Sequence, residues 1–298
     1  MNPLNFFKYP AYIYNPKQAL LRLRREFGGL HEGEIVELPW GHRFTVSSTD
    51  FIGRAIATQG IHELDVCEAI ARIVRPGDTV IDVGANIGFM TSVMAKAAGH
   101  RGCVFAFEPH PTLYSRLVEN VSLFADQSSA RVIAEPVALA DSDGKENLVF
   151  DSTLFARNSG VAGLRDSGFA RGTESVCVAT ARLDRFVTDV NVALLKIDVE
   201  GAELRVLRGA ERALTERRIA AVVYEDFRVA DSGIVPYLNG FGFAVFHLDR
   251  NLVRPHLREV DDRFRQIPRG RDENFLAVLD RDRLISAYRR WGWRVFRL

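Results

Sequence analysis

Hydrophobic and polar positions along the chain switch between a period of two and a helical period, and each switch marks a predicted element. The clearest switch lies at residues 80–89, VIDVGANIGF. Residues 80–83 have the pattern of a buried strand, and Gly84 and Gly88 flank Asn86 in a tight turn. From Phe89 the apolar positions follow one helical face until a glycine ends it. The stretch predicts a strand, a glycine turn and a helix whose free N–H groups face the loop.

The same alternation of strands and helices continues along the chain. Period-two or continuous apolar runs predict further strands at residues 103–107, 132–139, 175–181, 192–199, 219–224, 241–248 and 274–279. Helical spacing predicts helices at residues 61–74, 113–124, 183–187 and 203–214. Strands that alternate with helices predict an α/β fold with a mostly parallel sheet, helices on both faces and ligands at the carboxyl edge.

The two ends of the chain differ from this central pattern. Residues 1–59 hold an aromatic segment, a helix and a hairpin, whereas residues 281–298 hold six arginines and two tryptophans. We therefore expect an N-terminal extension over 1–59, a main domain over 60–280 and an Arg/Trp-rich tail over 281–298. We expect the tail to dock on the domain or on a second copy in a homodimer, rather than to lie on anionic lipid.

Residues 151–173 form the least regular stretch of the sequence. They contain several glycines and no apolar period. Loops of this length in compact domains are usually lids, binding loops or disordered segments. We expect this segment to close over the acceptor substrate and exclude water.

Composition and charge narrow the class of protein without identifying a ligand. The chain is 47% hydrophobic and 26% charged, as in ordinary soluble globular proteins, and its net charge of +1 gives no field that would attract nucleic acid. Three cysteines without C-x-x-C spacing indicate neither a disulfide framework nor a structural zinc. No apolar run approaches the roughly 18 residues of a membrane span, and the N-terminus lacks a secretion signal. We expect a cytoplasmic location.

Two carboxylates indicate the ligand of the glycine turn. Asp82 lies two residues before Gly84, where it would repel the pyrophosphate of a dinucleotide. It would suit S-adenosylmethionine, which carries an ammonium and a sulfonium group. Glu108 ends the second strand, where a carboxylate can accept hydrogen bonds from both ribose hydroxyls. A generic tight turn with a solvated glutamate is the alternative.

A second group of charged residues follows the strand at 192–199. Lys196, Asp198 and Glu200 share one face at period two, and Glu225 ends the next strand. Such charges cost solvation free energy unless they pair, bind a ligand or lie in a cleft. Neighbouring parallel strands lie ~4.8 Å apart, so Asp198 and Glu225 can converge. Acids at a helix N-terminus would explain Glu200 simply, but Lys196 and Asp198 precede the helix, which favours a functional site.

These motifs together resemble the FkbM-type methyltransferases over roughly residues 60–280. The resemblance runs through GIHE, DVGANIG, FEPHP, VALADSDG, LLKIDVEGAELRVLRGA and the strand that ends in VVYE. It implies a class I methyltransferase (Rossmann-like) fold with a seven-stranded sheet and S-adenosylmethionine as cofactor. It also implies methylation of a hydroxyl on a sugar, glycan or polyketide-type natural product.

The resemblance also implies roles for individual residues. Asp198 is the first candidate for the base, followed by Glu225 and Glu200, while Lys196 orients the acceptor or keeps Asp198 ionised. A divalent metal such as magnesium, held by Asp198 and Glu225, would be an alternative way to lower the hydroxyl pKa. His110 is a competing base. The residues implied for cofactor binding are Glu63, Asp82, Gly84, Asn86, Gly88, Glu108, Val137 and Ala138.

Two other classes of function stay open at this point. One is an NAD-dependent oxidoreductase on a doubly wound sheet, although Asp82 and the departure from G-x-G-x-x-G disfavour it. The other is a catalytically silent methyltransferase-like binding protein. The sequence does not identify the acceptor.

Overall fold

The secondary structure of the computed structural model follows the predicted alternation. The structure describes residues 10–126, 128–151, 163–164, 174–228, 231–261, 264 and 273–298. The first third contains α1 (Pro10–Tyr14), α2 (Pro16–Gly28), β1 (Glu34–Glu37), β2 (Arg43–Val46), α3 (Phe51–Gln59), α4 (Leu64–Ile73), β3 (Thr79–Val83), α5 (Phe89–Ala98) and β4 (Cys103–Phe107). The middle contains α6 (Pro111–Phe124), β5 (Arg131–Glu135), β6 (Val137–Leu139), β7 (Gly144–Phe150), β8 (Gly163–Leu164), β9 (Glu174–Ala181), a 3₁₀ turn (Leu183–Arg185) and β10 (Val192–Ile197). The last part contains α7 (Glu203–Gly209), α8 (Glu211–Thr215), β11 (Ala221–Glu225), α9 (Ile234–Gly240), β12 (Ala244–Arg250), β13 (Pro255–Glu259), β14 (Asn274–Val278), α10 (Arg281–Tyr288) and a 3₁₀ turn (Val295–Arg297).

An eight-stranded sheet forms the centre, in the order β13-β12-β14-β11-β10-β3-β4-β5. Within it β14 and β13 run antiparallel to their neighbours, and the other strands are parallel to one another. The seven strands from β12 to β5 confirm the predicted mostly parallel α/β fold. The additional edge strand, β13, was not predicted because its residues are mostly half-exposed and carry no apolar period.

Two predicted elements are each divided in the structure. The predicted strand at 132–139 breaks at Pro136, which has no N–H to donate, so β5 joins the central sheet and β6 a second, four-stranded sheet, β6-β9-β7-β8. The predicted helix at 203–214 divides into α7 and α8. Gly209 ends α7 where a Cβ would collide with the carbonyl oxygen of Ala140, so close packing and not helix propensity sets this boundary.

Hydrophobic clusters cover both faces of the central sheet. One cluster contains side chains of α4, α5, the β1–β2 hairpin and the C-terminal tail, and the other contains those of α7, α8 and α9. In the first cluster Trp40 and Phe44 of the hairpin contact the ring of Phe89. Trp293 and Val295 of the tail are buried in it as well. The predicted docking of the tail on the domain is therefore confirmed, while the predicted homodimer stays a prediction.

Two further expectations concern the loop and the membrane. The segment predicted to close over the acceptor, 151–173, lies outside the described residues except for residue 151 and β8, so its closure stays a prediction. Within the described part of the chain, no helix combines the length and apolar character needed to cross a bilayer.

Candidate functional site

The turn after β3 is shaped by close contact with the end of β10. Gly84 has a φ of +73°, and a Cβ there would collide with the carbonyl oxygen of Asp198. Asn86 has a φ of 50°, and its backbone N–H donates to Glu108 Oε2 over 2.8 Å. Glu63 and Glu200 also hold left-handed backbones, with φ values of 47° and 52°. Non-glycine residues in this conformation are uncommon and cluster at functional sites. Of the four such residues in the described part of the chain, all except Arg217 line one pair of cavities.

The first cavity, which we call the cofactor cavity, opens between the ends of β3 and β4 and the small sheet. The empty space within it, counted out to the solvent at its mouth, is about 640 Å³. Its walls are apolar, with Leu139, Leu148 and Leu164 among them. Its charged lining consists of Glu108, Asp198 and Glu200, with no lysine or arginine among the described lining residues. This charge pattern fits the cationic S-adenosylmethionine and disfavours the pyrophosphate of a dinucleotide.

Glu108 is held on the cavity wall by backbone donors. Its carboxylate accepts the N–H groups of Asn86 and His110, each over 2.8 Å. Burial nevertheless raises the pKa of Glu108 to about 7. His110 caps α6, because its Nδ1 accepts the N–H of Thr112 over 3.3 Å. Burial also lowers the pKa of His110, and its side chain lines neither of the two described cavities.

The second cavity, which we call the acceptor cavity, adjoins the first and encloses about 860 Å³. The residues that line both cavities are Gly84, Asn86, Asp198 and Glu200. The acceptor cavity adds charged and aromatic side chains from α3, the start of α4 and the end of β11: Phe51, His62, Glu63, Glu225 and Phe227. The arrangement therefore places one acidic junction between two neighbouring binding spaces.

Lys196 organises the charges at this junction. Its Nζ lies 3.3 Å from Asp82 Oδ1 and 3.3 Å from Asp198 Oδ2, and donates to the carbonyl oxygen of Gly84 over 3.1 Å. Burial alone would lower the pKa of Lys196, but the carboxylates of Asp82, Asp198 and Glu63 outweigh burial and raise it. The lysine is thus a fixed cation that ties the glycine turn to the end of β10.

Asp82 lies away from the place that the sequence suggested. It pairs with Lys196 in the β3–β10 register, is fully buried, and lines neither described cavity. Its Oδ2 accepts the hydroxyl of Thr91 over 2.6 Å. The described contacts of Asp82 are thus with Lys196 and Thr91, and its expected contact with the cofactor ammonium stays a prediction. Gly88 likewise lines neither described cavity and packs against Leu117.

The carboxylates of the acceptor cavity have different proton affinities. Burial, together with the neighbouring charges of Asp198, Glu63 and Glu200, raises the pKa of Glu225 to about 9. Burial and Asp198 raise the pKa of Glu200 to about 7. Carboxylates with such separated pKa values can divide the roles of hydrogen-bond donor and proton acceptor at one pH.

Asp198 and Glu225 are the expected metal ligands. Among the described residues, no group of three or more His, Cys, Asp or Glu side chains is arranged to hold a metal ion. Asp198 is engaged by Lys196, whose Nζ lies 3.3 Å from its Oδ2. The donors at Asp198 and Glu225 thus do not form a metal site by themselves, and we route no chemical step through a metal.

Most of the predicted site residues meet at this place. Glu63, Lys196, Asp198, Glu200 and Glu225 line the acceptor cavity. Gly84, Asn86, Glu108, Val137 and Ala138 line the cofactor cavity.

Sequence reasoning missed several residues. His62 directly precedes Glu63, a predicted site residue, and its Nε2 lies 3.4 Å from Glu63 Oε1. Its place in the GIHE motif could have identified it from the sequence. Thr91 reaches Asp82 from the first turn of α5. Phe51 and Phe227 lie in segments where a single aromatic residue gives no signal of a site.

Comparison with known proteins points to one family. The model described as "Methyltransferase FkbM domain" matches residues 82–248. The hexuronic acid methyltransferase AglP of Haloferax volcanii is 32% identical over 191 residues, covering 63% of this chain and 72% of that protein. The 31-O-demethyl-FK506 methyltransferase FkbM of Streptomyces tacrolimicus is 33% identical over 205 residues, covering 58% of this chain and 75% of its own length. A solved O-methyltransferase from Thermotoga maritima is 18% identical over 86% of this chain and 82% of its own, with a TM-score of 0.43.

Proposed function

Because the chain belongs to the FkbM methyltransferase family, we propose that it transfers a methyl group from S-adenosylmethionine to a hydroxyl oxygen of a neutral sugar unit. The junction of the two cavities carries this proposal. Methyl transfer needs the acceptor oxygen in line with the sulfonium at near-attack distance. Gly84, Asn86, Asp198 and Glu200 line both cavities, so molecules bound in the two spaces would meet at these residues.

The bound cofactor would supply an activated methyl group, and the side chains at the junction would handle the proton. We assign proton acceptance to Asp198, whose carboxylate faces both cavities and is held by Lys196 over 3.3 Å. Glu225, with its pKa raised to about 9, is protonated at neutral pH and would donate a hydrogen bond to the acceptor. Glu200, with a pKa near 7, is the second candidate for proton acceptance.

The lining of the acceptor cavity favours a neutral polyol over a charged acceptor. Phe51 and Phe227 line this cavity and are 63% and 52% exposed, so aromatic surface borders the acceptor and would cover the apolar face of a sugar. Around them stand more carboxylates than cations, since Lys196 is outnumbered by Glu63, Asp198 and Glu200, and this surplus would repel an anionic acceptor. AglP is named for a hexuronic acid, and we propose that this chain differs in taking an uncharged sugar.

Calorimetric titration with S-adenosylmethionine tests the cofactor half of the proposal. Glu108→Ala removes a carboxylate that would bind the ribose, and losing a charge-assisted hydrogen bond costs ~1.5–3 kcal/mol, or roughly ten- to over a hundredfold in affinity. Glu119→Ala, on the exposed face of α6, is the matched control. Unchanged affinity in Glu108→Ala would remove this residue from the site.

Turnover tests the catalytic half. Incubation with methyl-labelled cofactor and a panel of neutral glycosides, uronic acids and polyketide alcohols, read by mass spectrometry, should show methyl gain on neutral glycosides. The gain should disappear in Asp198→Asn while cofactor binding persists. Cofactor binding without methyl gain on any acceptor of the panel would favour the silent binding protein, and methyl gain on uronic acids alone would contradict the neutral-sugar assignment.

A further inference from the structure

A groove rich in arginine lies between α4 and the C-terminal tail, away from both cavities of the site. It encloses about 1200 Å³. We call it the basic groove, defined by its lining arginines Arg72, Arg75, Arg283, Arg290, Arg294 and Arg297. No aspartate or glutamate is among its described lining residues.

The arginines of the basic groove fall into two kinds. Arg72 is buried and donates to the carbonyl oxygens of Ala287, Arg290 and Gly292, which fixes the tail on α4. The other five side chains are exposed. In the part of the chain that the structure describes, none of these five has a carboxylate within ion-pair distance. Clustered like charges of this kind repel one another, and an anion would relieve that repulsion.

Exposed apolar side chains lie on the tail and on the two segments that contact it. We call them the apolar rim: Ile13, Leu252, Val253 and Trp291, each at least 37% exposed. Contacts join the rim to the tail, because Trp293 Nε1 donates to the carbonyl oxygen of Leu252 and the guanidinium of Arg254 lies 5.3 Å from the centre of the Trp291 ring. Tyr14, next to Ile13, donates to the carbonyl oxygen of Val253 over 3.1 Å and stacks on Phe296.

We propose that the basic groove and the apolar rim together bind the surface of an anionic membrane. Charge complementarity assigns the arginines to lipid phosphates, for which guanidinium groups provide two-pronged hydrogen bonding. Trp291 is 73% exposed and borders the groove, and tryptophan favours the headgroup level of a bilayer. A soluble polyphosphate would bind through the arginines alone and would not contact the apolar side chains. The adjoining rim of four apolar side chains is what favours a lipid surface.

The position of this surface keeps it separate from catalysis. Arg72 lies in the last turn of α4, whereas Glu63 caps its first turn in the acceptor cavity. At 1.5 Å per residue the two ends of this ten-residue helix are ~15 Å apart. The basic groove and the acceptor cavity therefore lie at opposite ends of α4 and share no lining residue, and the proposal does not depend on the proposed function.

Vesicle cosedimentation tests the proposal with the full chain. The vesicles are phosphatidylcholine alone, or phosphatidylcholine mixed with an equal amount of phosphatidylglycerol. We expect binding to the anionic vesicles only. Each basic residue near such a surface contributes about a fivefold gain in partition, so the triple variant Arg283→Gln/Arg290→Gln/Arg297→Gln should lose about a hundredfold. The matched control neutralises three exposed arginines near the opposite edge of the sheet: Arg101→Gln/Arg116→Gln/Arg131→Gln.

Tryptophan fluorescence supplies a second readout from the same samples. Trp40 and Trp293 are buried, so of the three tryptophans of the chain Trp291 is the one that can report on lipid contact. Anionic vesicles should shift the emission to shorter wavelength, and Trp291→Phe should remove the shift while leaving the protein folded. Equal vesicle binding by the triple variant and its control would overturn the proposal. So would binding of inorganic tripolyphosphate or of single-stranded RNA by a protein that ignores the vesicles.

Discussion

Lys196 and Arg72 are both buried cations, yet their charges are balanced in opposite ways. Arg72 forms an ion pair with Glu68 over 2.6 Å, and Glu68 also accepts the N–H groups of Arg294 and Val295 over 2.9 Å each. Lys196 faces Asp82 and Asp198, with Glu63, Glu200 and Glu225 lining the same cavity. The network of Arg72 holds one charge of each sign, and both groups form hydrogen bonds. The network of Lys196 holds more carboxylates than cations.

The difference separates a structural from a functional use of buried charge. A balanced pair such as Glu68–Arg72 fixes a tail. Burial raises the pKa of Glu68, but Arg72 and the backbone donors of the tail oppose this rise and satisfy the carboxylate. Burial, together with the surplus of carboxylates around Lys196, raises the pKa of Glu225 and of Glu200, and their ionisation costs stability unless a cation enters. A cationic cofactor in the neighbouring cavity would supply that compensation. Perturbed carboxylates of this kind are typical of sites that act on ligands.

Lys196→Met should have the largest effect on stability. It leaves Asp82 fully buried with the Thr91 hydroxyl but without its cation, and removal of one partner of a buried pair costs ~3–5 kcal/mol. Urea denaturation measures the loss. The double variant Asp82→Asn/Lys196→Met should recover part of it, and methyl transfer should stay absent in both. A single variant as stable as the double would contradict the ion pairing.

Arg72→Met should cost less, toward the lower end of the same ~3–5 kcal/mol range. Glu68 keeps the two backbone donors of Arg294 and Val295, which continue to stabilise its charge. The affinity for S-adenosylmethionine, measured by calorimetry below the unfolding temperature, should be unchanged. A tenfold loss of cofactor affinity would show that the tail network is coupled to the site and would break the comparison.

The surplus of carboxylates should appear as a pH dependence of stability. Glu225 has a folded pKa of about 9, above its ordinary value of 4.5, so it holds its proton more tightly when folded. Its stabilising contribution is complete below about pH 4.5 and is lost as the pH rises toward 9, with a slope of at most ~1.4 kcal/mol per pH unit. Glu225→Gln should flatten this slope in urea titrations of the ligand-free protein. An unchanged slope would mean that Glu225 ionises freely in the folded chain.

A partly exposed network should give the smallest effect. Arg205 of α7 donates to Asp141 and Glu146, which join α7 to the small sheet. These side chains are 20–36% exposed, so Arg205→Gln should cost ~1 kcal/mol, less at high salt because salt screens such pairs. Urea denaturation at low and high ionic strength measures both. A loss of unfolding free energy as large as that of Arg72→Met would show that burial does not determine how much an ion pair contributes to stability.

The sequence predicted the parts of the fold that depend on local pattern. Strands β3 and β4 and helix α5 lie where the apolar period placed them, because residues buried on both faces leave a continuous signal. Strand β13 lacks that signal as a half-exposed edge strand. The break at Pro136 follows from the proline itself, whereas the break at Gly209 depends on a close contact with Ala140, which no local period records.

The sequence predicted those site residues that lie at the carboxyl ends of strands. Glu108, Asp198 and Glu225 follow from the rule that ligands bind at the carboxyl edge of such sheets. The contact between Asp82 and Lys196 could not be predicted from the sequence, because it arises from the register between two strands far apart in the chain. Phe51 enters the site from the N-terminal extension, where no motif marks it.

The docked tail also sets the order in which this protein can complete its folding. Glu68 and Val295 are separated by 227 positions, and synthesis at ~5–20 residues per second spans that interval in about 10–45 s. For most of this time α4 is outside the ribosome, while the backbone groups that form hydrogen bonds with Glu68 and Arg72 do not yet exist. The apolar face of α4 that Trp293 and Val295 will cover is open for the same period. Nascent chains of this protein should therefore expose a chaperone-binding surface until the tail emerges.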